Sequence, residues 1–129
     1  MKPNVKIIGV EPAGSDSTGR SFHAGKRVRL DVIDTMADGI RTSSPGEMTF
    51  PVVQKYVDDM VLVSESSIVE AMKLVLERCK ILAEPTGAVT TAALLTPGLL
   101  PDSLKGKKIV PVISGGNVAL SQLAEILAK

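Results

Sequence analysis

Tryptophan is absent from this 129-residue chain, and Phe22, Phe50 and Tyr56 are its only aromatic side chains. Stacking of exposed bases on aromatic platforms, the usual device of single-strand binders, therefore has no basis here. Cysteine occurs once, at Cys79, so no intrachain disulfide can form; a reducing, cytoplasmic setting is the expectation. The one histidine, His23, falls in a polar stretch where it reads as a solvent-facing loop side chain. Nothing in the pattern aligns it with Ser114, so a Ser–His–acid triad is not expected. Neither sign of charge is in excess: fifteen basic and fourteen acidic side chains leave +1, and no face is built to attract a polyanion. No apolar run reaches the roughly 18 to 20 residues of a spanning helix. Met1-Lys-Pro-Asn4 leads straight into a strand-like run, which leaves no room for a secretory signal. Nucleic acid and membrane are thus not expected partners. Gly9 and Gly14 miss the dinucleotide-binding spacing, no Walker phrase occurs, and Ser114 lacks the glycine two positions back that a nucleophile elbow requires.

What is present alternates between two periods. Val5 to Val10 reads as a short interior strand that ends at Glu11-Pro12. Residues 13 to 49 are polar and punctuated by Gly14, Gly19, Gly25, Gly39 and Gly46, a long loop of the kind that carries function or a contact. Pro51 opens a helix through Val57, and Val61 to Val63 forms a second strand. Ser64 or Ser67 caps a long helix, Ser67 having the spacing of a capping box with Glu70. Ile68, Ala71, Met72, Val75, Leu76 and Cys79 recur at helical spacing and predict its buried face, with Cys79 a core thiol. Pro85 interrupts that helix and Thr86 starts an alanine-rich one through Leu95. Ile109 to Ile113 predicts a third strand, and Leu120 to Leu127 a closing helix. The fold class is α/β: a three-layer α/β/α, open and mostly parallel sheet with both faces covered. Three strands make a thin sheet, and the lack of a strand–helix unit before Val5 predicts the latter part of a larger domain.

Chemistry concentrates in Val110-Pro-Val-Ile-Ser-Gly-Gly-Asn-Val118. A β-branched run ends in a hydroxyl, two glycines and an amide, which puts Ser114 at the carboxyl end of a strand, where open α/β sheets receive ligands. Gly115 and Gly116 remove bulk where a flat ligand could approach the backbone. Ser114 reads either as a ligand-binding hydroxyl or as a turn-capping serine. Gly39, after Ala37-Asp38, serves either a turn or the flank of a planar ring. Glu84-Pro85-Thr86-Gly87 reads first as a helix break with a new cap, with Glu84 an acid that could also meet a ligand or a partner charge. Glu11, Ser15, Asp16 and Ser17 cluster oxygen atoms where the first strand ends; an ordinary surface loop and a hard-cation site both fit that spacing.

Seven phrases, in order along nearly the whole chain, carry a resemblance. They are Val5-Lys-Ile-Ile-Gly-Val-Glu-Pro12, Ala37-Asp-Gly-Ile40, Pro45-Gly-Glu47, Tyr56-Val-Asp-Asp59, Val63-Ser-Glu65, Glu84-Pro-Thr-Gly-Ala88 and Ile113-Ser-Gly-Gly-Asn-Val118. Together they resemble the C-terminal part of the threonine/serine dehydratases, pyridoxal-phosphate enzymes of the tryptophan-synthase-β-like fold (fold type II), which include serine racemase. The resemblance implies pyridoxal phosphate as cofactor. It implies that Ser114 hydrogen-bonds the pyridine nitrogen, that Gly39 lies beside the ring, and that Gly115 belongs to the same wall. It further implies a magnesium or calcium ion on Glu11, the Ser15 carbonyl and Ser17, where Ser17 replaces the more usual Asp or Asn.

Two phrases of that family do not occur in these residues: the Ser-x-Lys-x-Arg-Gly phrase with the cofactor-bearing lysine, and the glycine-rich phosphate loop. The chain therefore reads as the C-terminal portion of the large cofactor domain, without the small or any regulatory domain and with no catalytic residue of its own. The expected whole enzyme removes water from L-threonine, or L-serine, to give a 2-oxo acid and ammonia, and its partners are the amino-acid substrate, the missing N-terminal part of the chain and further copies in a homo-oligomer. A serine racemase and a non-enzymatic binding or oligomerisation module remain the alternatives.

Overall fold

The computed structural model describes residues 4–128. Met1 to Pro3, on which the expectation of no secretory signal rests, and Lys129 lie outside the described residues.

Two parallel strands form the sheet: β1 (Ile8–Pro12) pairs with β2 (Asp59–Val63), with Val10 opposite Val61 and Glu11 opposite Leu62. Alternation along a strand sends successive side chains to opposite faces. Val61 and Val63 are buried on the face that meets the core, where Ile8 and Val10 also pack. Gly9, Glu11, Met60 and Leu62 point the other way. There α1 (Ser17–Ala24) crosses so closely that a Cβ on Gly19 would touch Leu62 at 3.8 Å and Met60 at 3.9 Å.

On the core face lie α3 (Glu65–Leu74) and α4 (Pro85–Leu95). Ile68, Ala71, Met72 and Val75 meet Ala88, Val89, Ala92 and Ala93 in one buried cluster. The alanines of α4 let the two helices approach closely while still removing apolar area from water, at roughly 25 cal/mol per Å². The short α2 (Phe50–Tyr56) precedes β2, and α5 (Leu120–Ala128) ends the described chain with Ile126 in the core. Helices on both faces of a parallel sheet make this a layered α/β piece. No helix among the described residues is long and apolar enough to cross a membrane.

Four expectations are corrected. Residues 13 to 49 are not one loop, because α1 lies within them and carries His23 on an exposed helical turn, where its Nδ1 lies 2.9 Å from the Gly19 carbonyl oxygen. Gly25 ends α1 in the left-handed conformation, φ 66°. Ile109 to Ile113 forms no strand among the described residues: no ladder reaches it, and Val110 and Val112 stay 82% and 66% exposed. The sheet accordingly has two strands rather than three among the described residues. Cys79 is exposed rather than a core thiol. Val75 to Cys79 makes a π-helical turn, whose wider pitch breaks the 3.6-residue phase that placed Cys79 beside Val75. The long helix ends there, with Lys80 at φ 57°, so Pro85 does not interrupt it but opens α4 at its first position. Of the two candidate caps, Ser64 takes the role: its Oγ accepts the Ser67 N–H at 3.1 Å.

Candidate functional site

The amino end of α4 gathers three separate stretches of chain. Pro85 at the first helical position sets the backbone angle that starts the helix. Thr86, next along, accepts the Gly39 N–H on its Oγ1 at 3.0 Å, which draws the 3-10 turn Asp38–Ile40 against α4. Gly87 lies directly under Ser114: a Cβ built there would overlap the Ser114 carbonyl oxygen. Glu84 donates its own N–H to the Gly115 carbonyl at 3.2 Å and accepts the Asn117 N–H on Oε2 at 2.8 Å. Lower on the helix, Thr90 Oγ1 donates to the Val112 carbonyl at 2.9 Å.

Gly39, Ser114 and Gly115, far apart in sequence, thus share one end of one helix. All three are exposed, so the wall they form is open on its outer side. Gly115 has φ 70°, a left-handed conformation that turns the chain away immediately after the Ser114 hydroxyl. No internal partner holds the Ser114 hydroxyl among the hydrogen bonds of the described residues, which leaves it free for a ligand. No lysine takes part in the bonds that build this wall.

Glu11, Ser15 and Ser17 behave differently. Glu11 is buried and spends both carboxylate oxygens on α1, accepting the Thr18 N–H on Oε1 at 3.1 Å and the Gly19 N–H on Oε2 at 2.7 Å. It caps a helix from outside, charge against dipole. The Ser15 hydroxyl donates to the Ile40 carbonyl at 3.1 Å, and Ser17 Oγ lies 3.4 Å from Thr42 Oγ1. Asp16 is held by Arg20 at 2.9 Å. Magnesium and calcium sites need several oxygens turned on one point. Here both carboxylates of the cluster are already committed, and the two hydroxyls face other parts of the loop. No group of three or more His, Cys, Asp or Glu side chains that could hold a cation occurs among the described residues, and no step of the reaction is assigned to one.

Comparison with known proteins gives the wall its context. The family described as "Pyridoxal-phosphate dependent enzyme" matches residues 1–115. The chain belongs to that family. An L-threonine ammonia-lyase of Thermotoga maritima is 42% identical over 129 residues, covering 100% of this chain and 31% of the relative. A serine racemase of Arabidopsis thaliana is 44% identical over 125 residues, covering 95% of this chain and 38% of the relative. Among solved structures, maize serine racemase superposes with a TM-score of 0.87 at 38% identity, over 98% of this chain and 39% of that one. The chain therefore spans about a third of the length of the curated relatives it matches.

Pyridoxal phosphate is the cofactor of the family, and the wall at α4 suits one side of a flat, polar ring. Its surface is largely backbone and glycine, and it carries the Ser114 hydroxyl, which has no hydrogen-bond partner among the described residues. Glu84, Thr86 and Gly87 build this wall; the sequence marks them first as a helix break with a new cap, with Glu84 an acid that could also meet a ligand or a partner charge.

Proposed function

We propose that this chain is the C-terminal portion of the large cofactor domain of an enzyme that dehydrates L-threonine, and L-serine, to the 2-oxo acid and ammonia. The observation that carries the reading is the unengaged Ser114 hydroxyl, held at the open end of α4 between Gly87 and Gly115. The names of the relatives support the substrate class. When bound, pyridoxal phosphate supplies the electron sink for removal of the α-proton. Ser114 offers a neutral hydroxyl to the pyridine nitrogen. A neutral partner holds a proton on that nitrogen less firmly than a carboxylate does, which moderates carbanion stabilisation and favours prompt loss of the β-hydroxyl. Gly39 and Gly115 present backbone without a side chain on this wall, where a Cβ would crowd Thr86 and Glu84 respectively. Serine racemisation is the second reading, since racemases stand among relatives of equal similarity.

In the complete enzyme, Ser114→Ala is expected to weaken cofactor binding and lower turnover by roughly tenfold or more, the worth of a buried hydrogen bond to a ligand. Initial rates of the wild type and the variant on L-threonine and L-serine, with the chirality of residual serine followed, test the whole reading. A wild-type rate and cofactor affinity in the variant would remove Ser114 from the site. A higher specificity constant for serine would overturn the threonine preference, because one methyl in an apolar pocket is worth only about 1 to 3 kcal/mol.

The 129 residues alone are expected to be catalytically silent, since a reacting group misplaced by about 1 Å already costs on the order of 100-fold and the family's lysine phrase is missing. Borohydride trapping with added pyridoxal phosphate, followed by peptide mapping, is expected to show only scattered, substoichiometric lysine labelling. One stoichiometric adduct accompanied by dehydratase activity would contradict this.

A further inference from the structure

Glu84 occupies the residue before the first turn of α4 but makes no side-chain cap on its own helix. An acid in that place normally turns inward to the free N–H groups and the positive end of the dipole. Its carboxylate instead reaches a segment 33 residues away and accepts the Asn117 N–H at 2.8 Å. Its backbone N–H holds the Gly115 carbonyl at 3.2 Å. One residue therefore grips the Ser114–Asn117 turn at two points after the hydroxyl. The grip also fixes what can stand at position 115: a Cβ there would lie 2.5 Å from Glu84 Oε1 and 2.6 Å from the carboxyl carbon.

The segment around Ser114 has little else to set its place. Among the described residues, no ladder holds residues 108 to 119. Besides the two Glu84 bonds, its hydrogen bonds among the described residues are Thr90 to Val112 before the serine, Val118 to Gly116 within the turn itself, and Leu123 to Ala119 at its far end, where α5 begins. We propose that Glu84 is a positioning residue, whose carboxylate sets where the Ser114 hydroxyl stands relative to the cofactor ring without touching the cofactor. The proposal rests on the reading of Ser114 as the ring-nitrogen partner and goes beyond it by naming what places that hydroxyl.

The test compares Glu84→Ala, Glu84→Gln, Ser114→Ala and the Glu84→Ala/Ser114→Ala pair in the complete holoenzyme. Three readouts are taken: kcat against KM, the absorbance and fluorescence of the bound cofactor, and hydrogen exchange at the Asn117 amide. Glu84→Ala is expected to accelerate Asn117 exchange about tenfold or more, as loss of a local bond opens that turn. It is expected to move the cofactor spectrum in the same direction as Ser114→Ala and to lower kcat by roughly tenfold. The pair is expected to be no worse than Ser114→Ala alone, because two residues acting through one hydroxyl are not additive. Glu84→Gln keeps an acceptor oxygen and is expected to recover most of the loss. Where Glu84→Ala does not fold, Glu84→Asp keeps the charge but shortens the reach to the Asn117 N–H, and is expected to give the same spectral change. Fast Asn117 exchange with an unchanged spectrum and kcat would overturn the positioning role while leaving the Ser114 reading intact, as would a fully additive pair or slow exchange. A wild-type Ser114→Ala enzyme would instead overturn the underlying reading, and this inference with it.

Discussion

Gly87→Ala in the complete enzyme is expected to lower turnover by on the order of 100-fold, although helix propensity alone favours an improvement. Alanine inside a helix is favoured over glycine by about 0.5 to 1 kcal/mol. Steric overlap acts the other way and is larger. A methyl at position 87 would occupy the space of the Ser114 carbonyl oxygen and come within 2.8 Å of the Gly115 carbonyl oxygen. Both obstacles are backbone, so no side chain can rotate away, and overpacking of this kind costs about 1 to 3 kcal/mol. The cheapest relief is to lift the Ser114 turn off α4, which carries the hydroxyl away from its place by a distance of the order that costs 100-fold in rate. Single-turnover rates and cofactor titration measure the effect. Wild-type values together with a raised melting temperature would mean that propensity wins and that the turn is not seated on Gly87.

Glu11→Ala is expected to destabilise the fold by about 3 kcal/mol. Glu11 is 7% exposed, and removal of its carboxylate orphans the buried Gly19 N–H and the Thr18 N–H together. A hydrogen bond to a charged group is worth about 1.5 to 3 kcal/mol, and an unpaired buried donor keeps its full desolvation cost. Glu11→Gln retains one acceptor and is expected to fall between the two. Chemical denaturation of the protein, read from the midpoint at unchanged slope, measures the difference. A loss below about 0.5 kcal/mol would show that α1 does not need its cap.

Legibility in the sequence follows the range of the forces involved. The buried face of α3 at Ile68, Ala71, Met72 and Val75 is readable because a 3.6-residue period is a local property of the chain. Cys79 is misplaced by that reading because a single π turn shifts the period without any signal in composition. α1 is invisible for a different reason. Ser17, Thr18, Gly19, Arg20 and Ser21 carry no apolar stripe, and the helix rests on a glutamate from the preceding strand and on Gly19 fitting under Met60 and Leu62. Ile109 to Ile113 has the composition of a strand, but a strand is a property of two segments, and no second segment pairs with it among the described residues. At the site the Ser-Gly-Gly-Asn phrase is legible as a whole. The supports under it are not, because Glu84 meets Asn117, and Thr86 meets Gly39, across 33 and 47 residues.

The unpaired run at Ile109 to Ile113 bears on self-association. Exposed β-branched residues such as Val110 and Val112 are what a growing fibril recruits, since each strand offers its neighbour a row of donors and acceptors. This run interrupts its own row. Pro111 stands at its centre with no N–H to give, so a copy stacked in register meets a gap on that edge. On the opposite edge the Val112 carbonyl is already occupied by Thr90. Lys105, Lys107 and Lys108 charge its approach, and in any in-register stack those ammonium groups would lie above one another at roughly 4.7 Å intervals. The segment that leaves the sheet open thus carries both a proline and a lysine guard against templating copies of itself.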